Sequence, residues 1–196
     1  MFEGRPMENF EKQLTFTRFY EICRKYSSHT ALIYLGQKFT YGYLETLVDK
    51  FAAGLLSLGL KKGDKVMLYI SNFPQWLIAN YAINRIGAVT VPVSPIYPAF
   101  EIEYMIRDAG IASVICLDTN FVYVKEVMAR THLERIIVTN LVDLVPWWKK
   151  AIGYMLDKIP AGKVEKGKNT YSFHDVLLAG RVKPQEVPLD PWKDLS

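Results

Sequence analysis

The segment spanning residues 39–118 constrains the fold more than any other part of this chain, because helix and strand patterns alternate through it with few residues between them. Residues 65–70, 88–93 and 111–117 are short apolar runs, which is typical of buried strands. The stretches between them have apolar residues at helical spacing, and a glycine follows each one. Continuous apolar strands with intervening helices predict a largely parallel sheet covered on both faces.

The same patterns predict the remaining elements. We expect a hairpin of residues 31–35 and 38–40 turning at Gly36 and Gln37, a strand at 135–139, and helices at 15–26, 121–130 and 173–178. Thr40, Asn72 and Ser172 are candidate helix N-caps. Pro92 near the end of its strand favours an edge strand or a strand terminus. The predicted fold class is α/β, with a mostly parallel, doubly wound sheet of about five strands and helices on both faces.

The chain divides into three predicted parts. Residues 1–13 are predicted to be a loose N-terminal arm, residues 14–180 an α/β subdomain, and residues 181–196, which contain three prolines, an extended connector. Within the subdomain, residues 146–160 predict an amphipathic helix that begins with Trp147, Trp148, Lys149 and Lys150. A helix with paired tryptophans beside lysines can lie in a membrane interface, and packing on the sheet or on a neighbouring domain explains the same stripe equally well.

Composition excludes several classes of protein. The chain has 24 Lys and Arg against 20 Asp and Glu, a net charge of +4, and these residues are scattered rather than gathered into a nucleic-acid-binding patch. Its two cysteines do not make a disulfide framework, which favours a reducing cytoplasm, and Cys116 falls in an apolar strand as a small core residue. No apolar run has the length of a signal peptide or a membrane span. We expect a cytoplasmic protein, peripheral to the membrane if the 146–160 helix contacts it.

Motifs that carry chemistry are missing from the sequence. It contains no G-x-x-x-x-G-K-[ST] phosphate loop, no G-x-G-x-x-G dinucleotide fingerprint and no G-x-S-x-G nucleophile elbow. The three histidines, which are widely separated, do not predict a metal site. Asp64, Asp108 and Asp118 follow strands or end helices, where turn and cap chemistry explains them first. We therefore predict no catalytic residue and no metal ligand.

Several short motifs occur in a characteristic order. Residues 40–42 read TYG, 54–66 read GLLSLGLKKGDKV, 85–95 read RIGAVTVPVSP, and 101–110 read EIEYMIRDAG. These motifs, with Asn72, Phe73 and Pro74 between them, resemble in order and spacing the N-terminal part of the adenylate-forming acyl-CoA synthetases, and the long-chain fatty-acid–CoA ligases are the most similar subgroup. The chain departs from that pattern at Tyr43, where Glu is usual, at Ile86, where a small residue is usual, and at Ser94, where Asn is common.

The resemblance implies a two-step reaction in the intact family. ATP and a carboxylate give an acyl-adenylate, and the thiol of coenzyme A then displaces AMP, with Mg²⁺ assisting. In such enzymes the phosphate loop, the adenine and ribose contacts and the C-terminal domain with its lysine come later in the sequence. We therefore expect this chain to bind none of these cofactors alone and to be catalytically inactive by itself, because departing pyrophosphate needs N–H groups and cations to stabilise its charge. Its expected role is to support the remainder of the enzyme, with a homodimer surface through residues 1–20.

One ligand contact is implied by the resemblance alone. In acetate-activating relatives, the loop after the second parallel strand lies near the adenine of coenzyme A, and basic residues after the next strand approach its 3′-phosphate. The matching positions here are Ser94, Pro95 and Ile96, followed by Lys125. A proline-rich turn and a solvated helix lysine are the alternative interpretation of these residues.

Two other functions fit the sequence. The chain could be a noncatalytic module, or one half of a split enzyme whose partner carries the ATP site. An unrelated doubly wound nucleotide-binding domain is disfavoured, since the glycine fingerprint is missing. The length of the acyl chain is set elsewhere in such enzymes and does not follow from these residues.

Overall fold

The computed structural model describes residues 15–155, 159–165, 167–180 and 184. The predicted arm at 1–13 and, apart from Pro184, the connector at 181–196 lie outside the described residues. The helices are α1 (Thr15–Lys25), α2 (Tyr41–Ser57), α3 (Pro74–Arg85), α4 (Ala99–Ala109), α5 (Phe121–Met128), α6 (Trp147–Met155) and α7 (Phe173–Ala179). The strands are β1 (Thr30–Tyr34), β2 (Gln37–Thr40), β3 (Lys65–Tyr69), β4 (Val89–Pro92), β5 (Ser113–Leu117), β6 (Arg135–Thr139) and β7 (Thr170–Ser172).

The central sheet confirms the predicted fold class. Five parallel strands lie in the order β4-β3-β5-β6-β7, and Met67 of β3 pairs with Val91 on one side and with Val114 on the other. Pro92 ends β4, which is an edge strand, so its missing N–H removes no ladder hydrogen bond from the middle of the sheet. The predictions missed β7, because its three residues have no apolar pattern and only their pairing with β6 makes them a strand.

Alternate side chains of the strands pack into two separate cores. Val66 and Leu68 of β3 belong to the core beneath α1, α2, α3 and α7, which we call the first layer. Met67 and Tyr69 belong to the core beneath α4 and α5, the second layer. This alternation is the period of two that a pleated strand imposes, and it explains why consecutive positions in the middle of β3, β5 and β6 are apolar.

The helix ends follow the capping signals at two of three predicted sites. The backbone N–H of Tyr43 donates to Thr40 Oγ1 at 3.2 Å, and that of Asp175 donates to Ser172 Oγ at 3.0 Å. The prediction for Asn72 is wrong, since α3 begins at Pro74 with Phe73 at the N-cap and no side-chain cap bond. Pro74 lacks an N–H and its φ is already helical, so this end needs less capping than an ordinary one.

A buried ion pair links three helices of the first layer. Tyr20 Oη on α1 donates to Asp49 Oδ1 on α2 at 2.6 Å, and Arg85 Nε at the end of α3 lies 3.2 Å from the same oxygen. The guanidinium carbon of Arg85 also lies 4.5 Å from the centre of the Tyr20 ring. Burial, with the hydrogen bond to Asp49, holds the pKa of Tyr20 far above its ordinary value.

Helices α2 and α7 cross with their backbones in close approach. A Cβ atom added at Gly54 would lie 2.1 Å from the carbonyl oxygen of Val176, and one added at Gly180 would lie 1.9 Å from that of Lys50. Neither distance is compatible with a real side chain. Glycine at both positions lets a helix near the beginning of the domain pack directly on the last described helix.

The hairpin of β1 and β2 stands apart as a two-stranded antiparallel sheet. Its turn falls on Leu35 and Gly36, one residue earlier than predicted, and both have positive φ, at 47° and 70°. Two-residue hairpin turns with positive φ favour Asn, Asp and Gly, so a leucine here is unusual. Lys149 Nζ on α6 donates to the carbonyl oxygen of Leu35 at 3.0 Å, which places α6 beside the turn.

Candidate functional site

Polar residues follow four neighbouring strands of the sheet at their carboxyl ends. Ser71 comes after β3, Ser94 after β4, Asp118 after β5 and Asn140 after β6. The chain runs from β3 outward to β4 and then returns across β3 to β5, so the direction of winding reverses here. Ligands of doubly wound folds bind in the crevice outside the carboxyl ends of the strands at such a reversal.

A cavity of about 360 Å³ lies at this edge, and we call it the edge cavity. Ser71, Asn72 and Ser94 supply its polar side chains. The other lining residues are Ile70, Trp76, Pro92, Val93 and Pro95. None of these eight side chains is ionisable. The edge cavity therefore offers hydrogen bonds and apolar contact to a neutral group, and its own side chains cannot move a proton.

Asp118 organises the part of this edge beyond β5. Its carboxylate accepts hydrogen bonds from the backbone N–H of Thr119 at 2.9 Å, from Asn140 Nδ2 at 2.8 Å and from the backbone N–H of Gly162 at 3.0 Å. A Cβ at Gly162 would lie 2.0 Å from the carbonyl oxygen of Asp118, so only glycine allows this approach. The carboxylate clamps the loop around Gly162 onto the ends of β5 and β6.

Two further amides fix neighbouring segments. The buried Gln75 donates through Nε2 to the carbonyl oxygen of Asn140 at 2.8 Å, which ties α3 to the end of β6. Asn120 Nδ2 donates to the carbonyl oxygen of Pro95 at 2.9 Å, and Tyr69 Oη donates to that of Tyr97. Together these bonds hold the loop after β4 across the ends of β3 and β5.

These amides were not predicted as site residues, although the sequence carries a signal for them. Asp118 and Asn140 come directly after apolar strands and Asn120 comes three residues after one, and polar residues in such positions meet at one edge of a parallel sheet. Asp64 behaves as the turn residue that was predicted, because its carboxylate accepts from the backbone N–H of Lys61 at 2.9 Å. Among the described residues, no group of three or more His, Cys, Asp or Glu side chains is placed to hold a metal ion.

The four residues that were predicted to approach coenzyme A divide between two places. Ser94 and Pro95 line the edge cavity, and Ile96 beside them is exposed. Lys125, on α5, lines a different cavity of about 490 Å³ together with Lys163, Glu165, Phe121, Val122 and Glu126. Lys125 forms an ion pair with Glu165, and this hydrogen bond lowers the pKa of the Glu165 carboxyl group.

The residues that were predicted to contact a membrane lie on α6. Trp147 is exposed and Trp148 is half-exposed, and Lys149 Nζ lies 5.3 Å from the centre of a Trp148 ring. Lys150 Nζ is 4.0 Å from Asp143 Oδ1. The described helix ends at Met155, and residues 156–158 of the predicted helix lie outside the described residues. Within the described part of the chain, no helix combines the length and the apolar character that crossing a bilayer requires.

Comparison with known proteins gives one family. The profile of the family described as AMP-binding enzyme matches residues 19–188. The long-chain-fatty-acid–CoA ligase of Bacillus subtilis is 28% identical over 97% of this chain, and that of Salmonella typhimurium is 35% identical over 88%. These matches cover 34% and 32% of the two relatives, so the chain spans about a third of their length.

Solved structures agree on the fold. A long-chain-fatty-acid–CoA ligase from Archaeoglobus fulgidus superposes with a TM-score of 0.76 at 22% identity, covering 98% of this chain and 35% of that one. Coronafacic acid ligase from Pectobacterium brasiliense superposes with a TM-score of 0.72 at 23% identity, covering 89% and 31%. At these identities the likeness concerns the fold.

Proposed function

This chain belongs to the AMP-binding enzyme family and corresponds to an N-terminal portion of the long-chain-fatty-acid–CoA ligases, and we propose that it acts as the supporting wall of such a ligase. The intact enzyme would join a fatty acid to AMP at the expense of ATP and then transfer the acyl group to coenzyme A. The observation that carries this proposal is the family match across residues 19–188. These residues include the central sheet, whose carboxyl edge is organised by Asp118, Asn120 and Asn140.

The chain alone is proposed to be inactive in adenylation. The edge cavity is lined by uncharged side chains, and the sequence has no glycine-rich phosphate loop. When the carboxylate attacks the α-phosphorus of ATP, pyrophosphate cannot leave readily without hydrogen-bond donors and cations around it. We assign no contact with ATP or Mg²⁺ to the described residues.

An exchange assay tests this inactivity. The 196-residue chain, incubated with a long-chain fatty acid, ATP and Mg²⁺, is expected to exchange no labelled pyrophosphate into ATP above the level without fatty acid. A relative of full length serves as the positive control. Exchange that depends on the fatty acid would overturn the proposal.

Coenzyme A is proposed to lie against the loop after β4, with its 3′-phosphate near Lys125. Asn120 at the end of β5 holds Pro95 in place, and α5, which carries Lys125, begins at the next residue. The Lys125–Glu165 ion pair is exposed, and exposed ion pairs contribute little to stability. A phosphate group can therefore replace Glu165 as the partner of Lys125 with little loss of stability. Ser94 and Pro95 would then contact the adenine, with Ile96 beside it.

Removing one phosphate group tests this placement. In the intact enzyme, Lys125→Ala is expected to raise the KM for coenzyme A several-fold and to leave that for dephospho-coenzyme A unchanged, because only the former has the 3′-phosphate. Lys163→Ala, which removes a lysine from the same cavity, is the matched control. An unchanged KM for coenzyme A in Lys125→Ala would remove Lys125 from the site.

A noncatalytic or split-enzyme module is the second candidate function. The outward side of α4 carries Phe100 and Tyr104, both largely exposed, with Ile96 one turn before them. An apolar stripe on the solvent side of a helix favours contact with another protein surface. The remainder of the enzyme, on the same or another chain, is the partner that we propose for it.

Two measurements separate these candidates. The mass of the native gene product distinguishes a long enzyme from a separate 196-residue module, and coexpression with the rest of a ligase tests whether a split enzyme assembles. A homodimer is also proposed for the chain, and sedimentation velocity tests it.

A further inference from the structure

We propose that the hairpin turn and α6 together form a surface that binds an anionic lipid bilayer. This surface, which we call the tryptophan face, consists of five apolar side chains and three lysines. The apolar residues are Ile33, Leu35, Trp147, Trp148 and Met155, and the lysines are Lys38, Lys149 and Lys150. The proposal is independent of the ligase function, since it requires neither nucleotide nor coenzyme A.

The two elements of the tryptophan face are in direct contact. Lys149 Nζ donates to the carbonyl oxygen of Leu35 at 3.0 Å and lies 5.3 Å from the centre of a Trp148 ring. The same nitrogen would be 3.2 Å from a Cβ atom at Gly36. One lysine therefore joins the tip of the hairpin to the first turn of α6, which brings Leu35 and Trp148 close together.

All five apolar side chains of this face are exposed. Ile33 is 63% exposed, Leu35 55%, Trp147 80%, Trp148 49% and Met155 78%. Leu35 has a φ of 47°, a conformation in which asparagine or glycine is favoured and leucine is strained. Folding therefore explains neither the exposure nor the choice of leucine at the turn. An amphipathic partner that accepts these side chains explains both.

The charge of this region matches an anionic partner. Residues 30–40 and 144–155 contain Lys38, Lys149 and Lys150 and no acidic residue, so they carry three of the chain's four excess positive charges. Lys38 pairs with Ile33 across the hairpin, which places their side chains on the same face. Asp143, 4.0 Å from Lys150, offsets part of that charge.

A bilayer fits this combination better than a protein surface does. Tryptophan favours the level of the lipid head groups, because its apolar ring can contact the acyl chains there while its N–H stays hydrated. Lysines extend toward the anionic phosphates. A protein partner with an acidic, apolar groove would require complementary shape as well as charge. Five apolar side chains on two short elements are enough to enter the interface and too few to span the bilayer.

Sedimentation with lipid vesicles tests the proposal on the 196-residue chain. The chain is expected to bind vesicles of phosphatidylcholine mixed with phosphatidylglycerol roughly 100-fold more tightly than vesicles of phosphatidylcholine alone, because each lysine near an anionic surface adds roughly five-fold. Raising the salt concentration is expected to remove most of this difference. Tryptophan emission should shift to shorter wavelength when vesicles are added.

Leu35→Asn is the most informative variant. Asparagine suits the positive φ better than leucine, so the folded state should be at least as stable, whereas binding to the mixed vesicles should fall roughly ten-fold because an apolar side chain is lost from the interface. Trp147→Ser combined with Trp148→Ser is expected to abolish binding. Phe100→Ser combined with Tyr104→Ser, which removes exposed aromatics from α4, is the matched control and should bind like the parent chain.

Each opposite result overturns the proposal. If the chain does not bind the mixed vesicles, the proposal is wrong. It is also wrong if the chain binds both kinds of vesicle equally and the α4 control loses as much binding as the tryptophan variant, because that result indicates nonspecific adhesion. A change in sedimentation of the tryptophan variants without vesicles would instead identify the face as a contact between two copies of the chain.

Discussion

The two helical layers of this domain cover the same sheet and differ in how far their outward aromatic side chains are exposed, 72% for Phe100 of α4 against 47% for Tyr43 of α2. The first layer has four helices, a buried ion pair of Asp49 with Arg85, and a stacked pair of Phe51 and Phe173 whose ring centres are 4.1 Å apart. The second layer has two helices, which bury one apolar stripe against the sheet and present another outward. The outward stripe includes Phe100 and Tyr104 on α4 and Val122 and Tyr123 on α5.

This difference separates the surfaces that stabilise the domain from the surfaces that are available to a partner. The inner sides of both layers are closed by residues of this chain, whereas the outward aromatics of the second layer have no equivalent role in the described fold. They support the proposal that the second layer receives another part of a longer ligase. Mutations should therefore have similar effects on the inner sides and different effects on the outward side of α4.

The largest effects are expected on the inner sides. Phe51→Ala in the first layer and Phe121→Ala in the second should each lower the free energy of unfolding by about 4 kcal/mol, because each removes a fully buried ring and leaves a cavity. Urea denaturation monitored by circular dichroism measures both. If Phe121→Ala lowered the free energy of unfolding much less than Phe51→Ala, the inner side of the second layer would not be a closed core.

Breaking the buried ion pair should have the next largest effect. Arg85→Met removes the guanidinium that lies 3.2 Å from the half-buried carboxylate of Asp49, and the free energy of unfolding should fall by about 3 kcal/mol. Adding Asp49→Asn to Arg85→Met removes the negative charge as well and should restore part of the lost stability. A double variant no more stable than Arg85→Met would show that the charge is not the cause.

The cysteines report on the two layers separately. Cys23 lies in the first core and Cys116 in the second, and burial raises the pKa of both thiols, that of Cys23 to about 12. With the other cysteine replaced by alanine, Cys23 should react with a thiol reagent about ten-fold faster than Cys116, since α1 can detach without opening the sheet. Equal rates would mean that α1 opens only with the whole domain.

The raised pKa of Cys23 also sets the direction of a pH effect. The unfolded chain ionises this thiol near its ordinary pKa of 9.0, while the folded chain keeps it protonated up to about pH 12. The stabilisation is therefore fully present below about pH 9 and is lost as the pH rises toward 12. Comparing the parent chain with Cys23→Ala between these values measures it.

The smallest effect on stability is expected on the outward side of α4. Phe100→Ser combined with Tyr104→Ser should change the free energy of unfolding by less than about 0.5 kcal/mol, as is usual for exposed positions. A large loss of stability would mean that these rings belong to the core of this chain.

The fold could be predicted from the sequence where the signal was local. Long apolar runs and capping residues such as Thr40 and Ser172 each fall within one element, and they specified four of the five strands of the central sheet. Strand β7 could not be predicted in this way, because it exists through its pairing with β6. The position of the hairpin turn was predicted one residue too late, because two-residue turns with positive φ favour Asn, Asp or Gly and this turn contains Leu35.

The candidate site depended more on distant contacts. The bonds from Gln75 to Asn140 and from Gly162 to Asp118 join residues 65 and 44 positions apart, and no local pattern indicates such partners. The helix that carries Lys125 was predicted correctly, whereas its ion pair with Glu165, 40 residues away, was not. Ser94 lies at the carboxyl edge because it follows β4 directly in the loop that lines the edge cavity, whereas its predicted proximity to coenzyme A stays a prediction.

The crossing of α2 and α7 also governs when the domain can be completed during synthesis. Helix α2 ends at Ser57 and the contact reaches Gly180, so a ribosome must add 123 residues before α2 meets the backbone that it packs against. At about 5–20 residues per second, this takes roughly 6–25 s. Throughout that interval the nascent chain presents the apolar stripe of α2 without its final cover, which makes this helix the natural point of engagement for a chaperone.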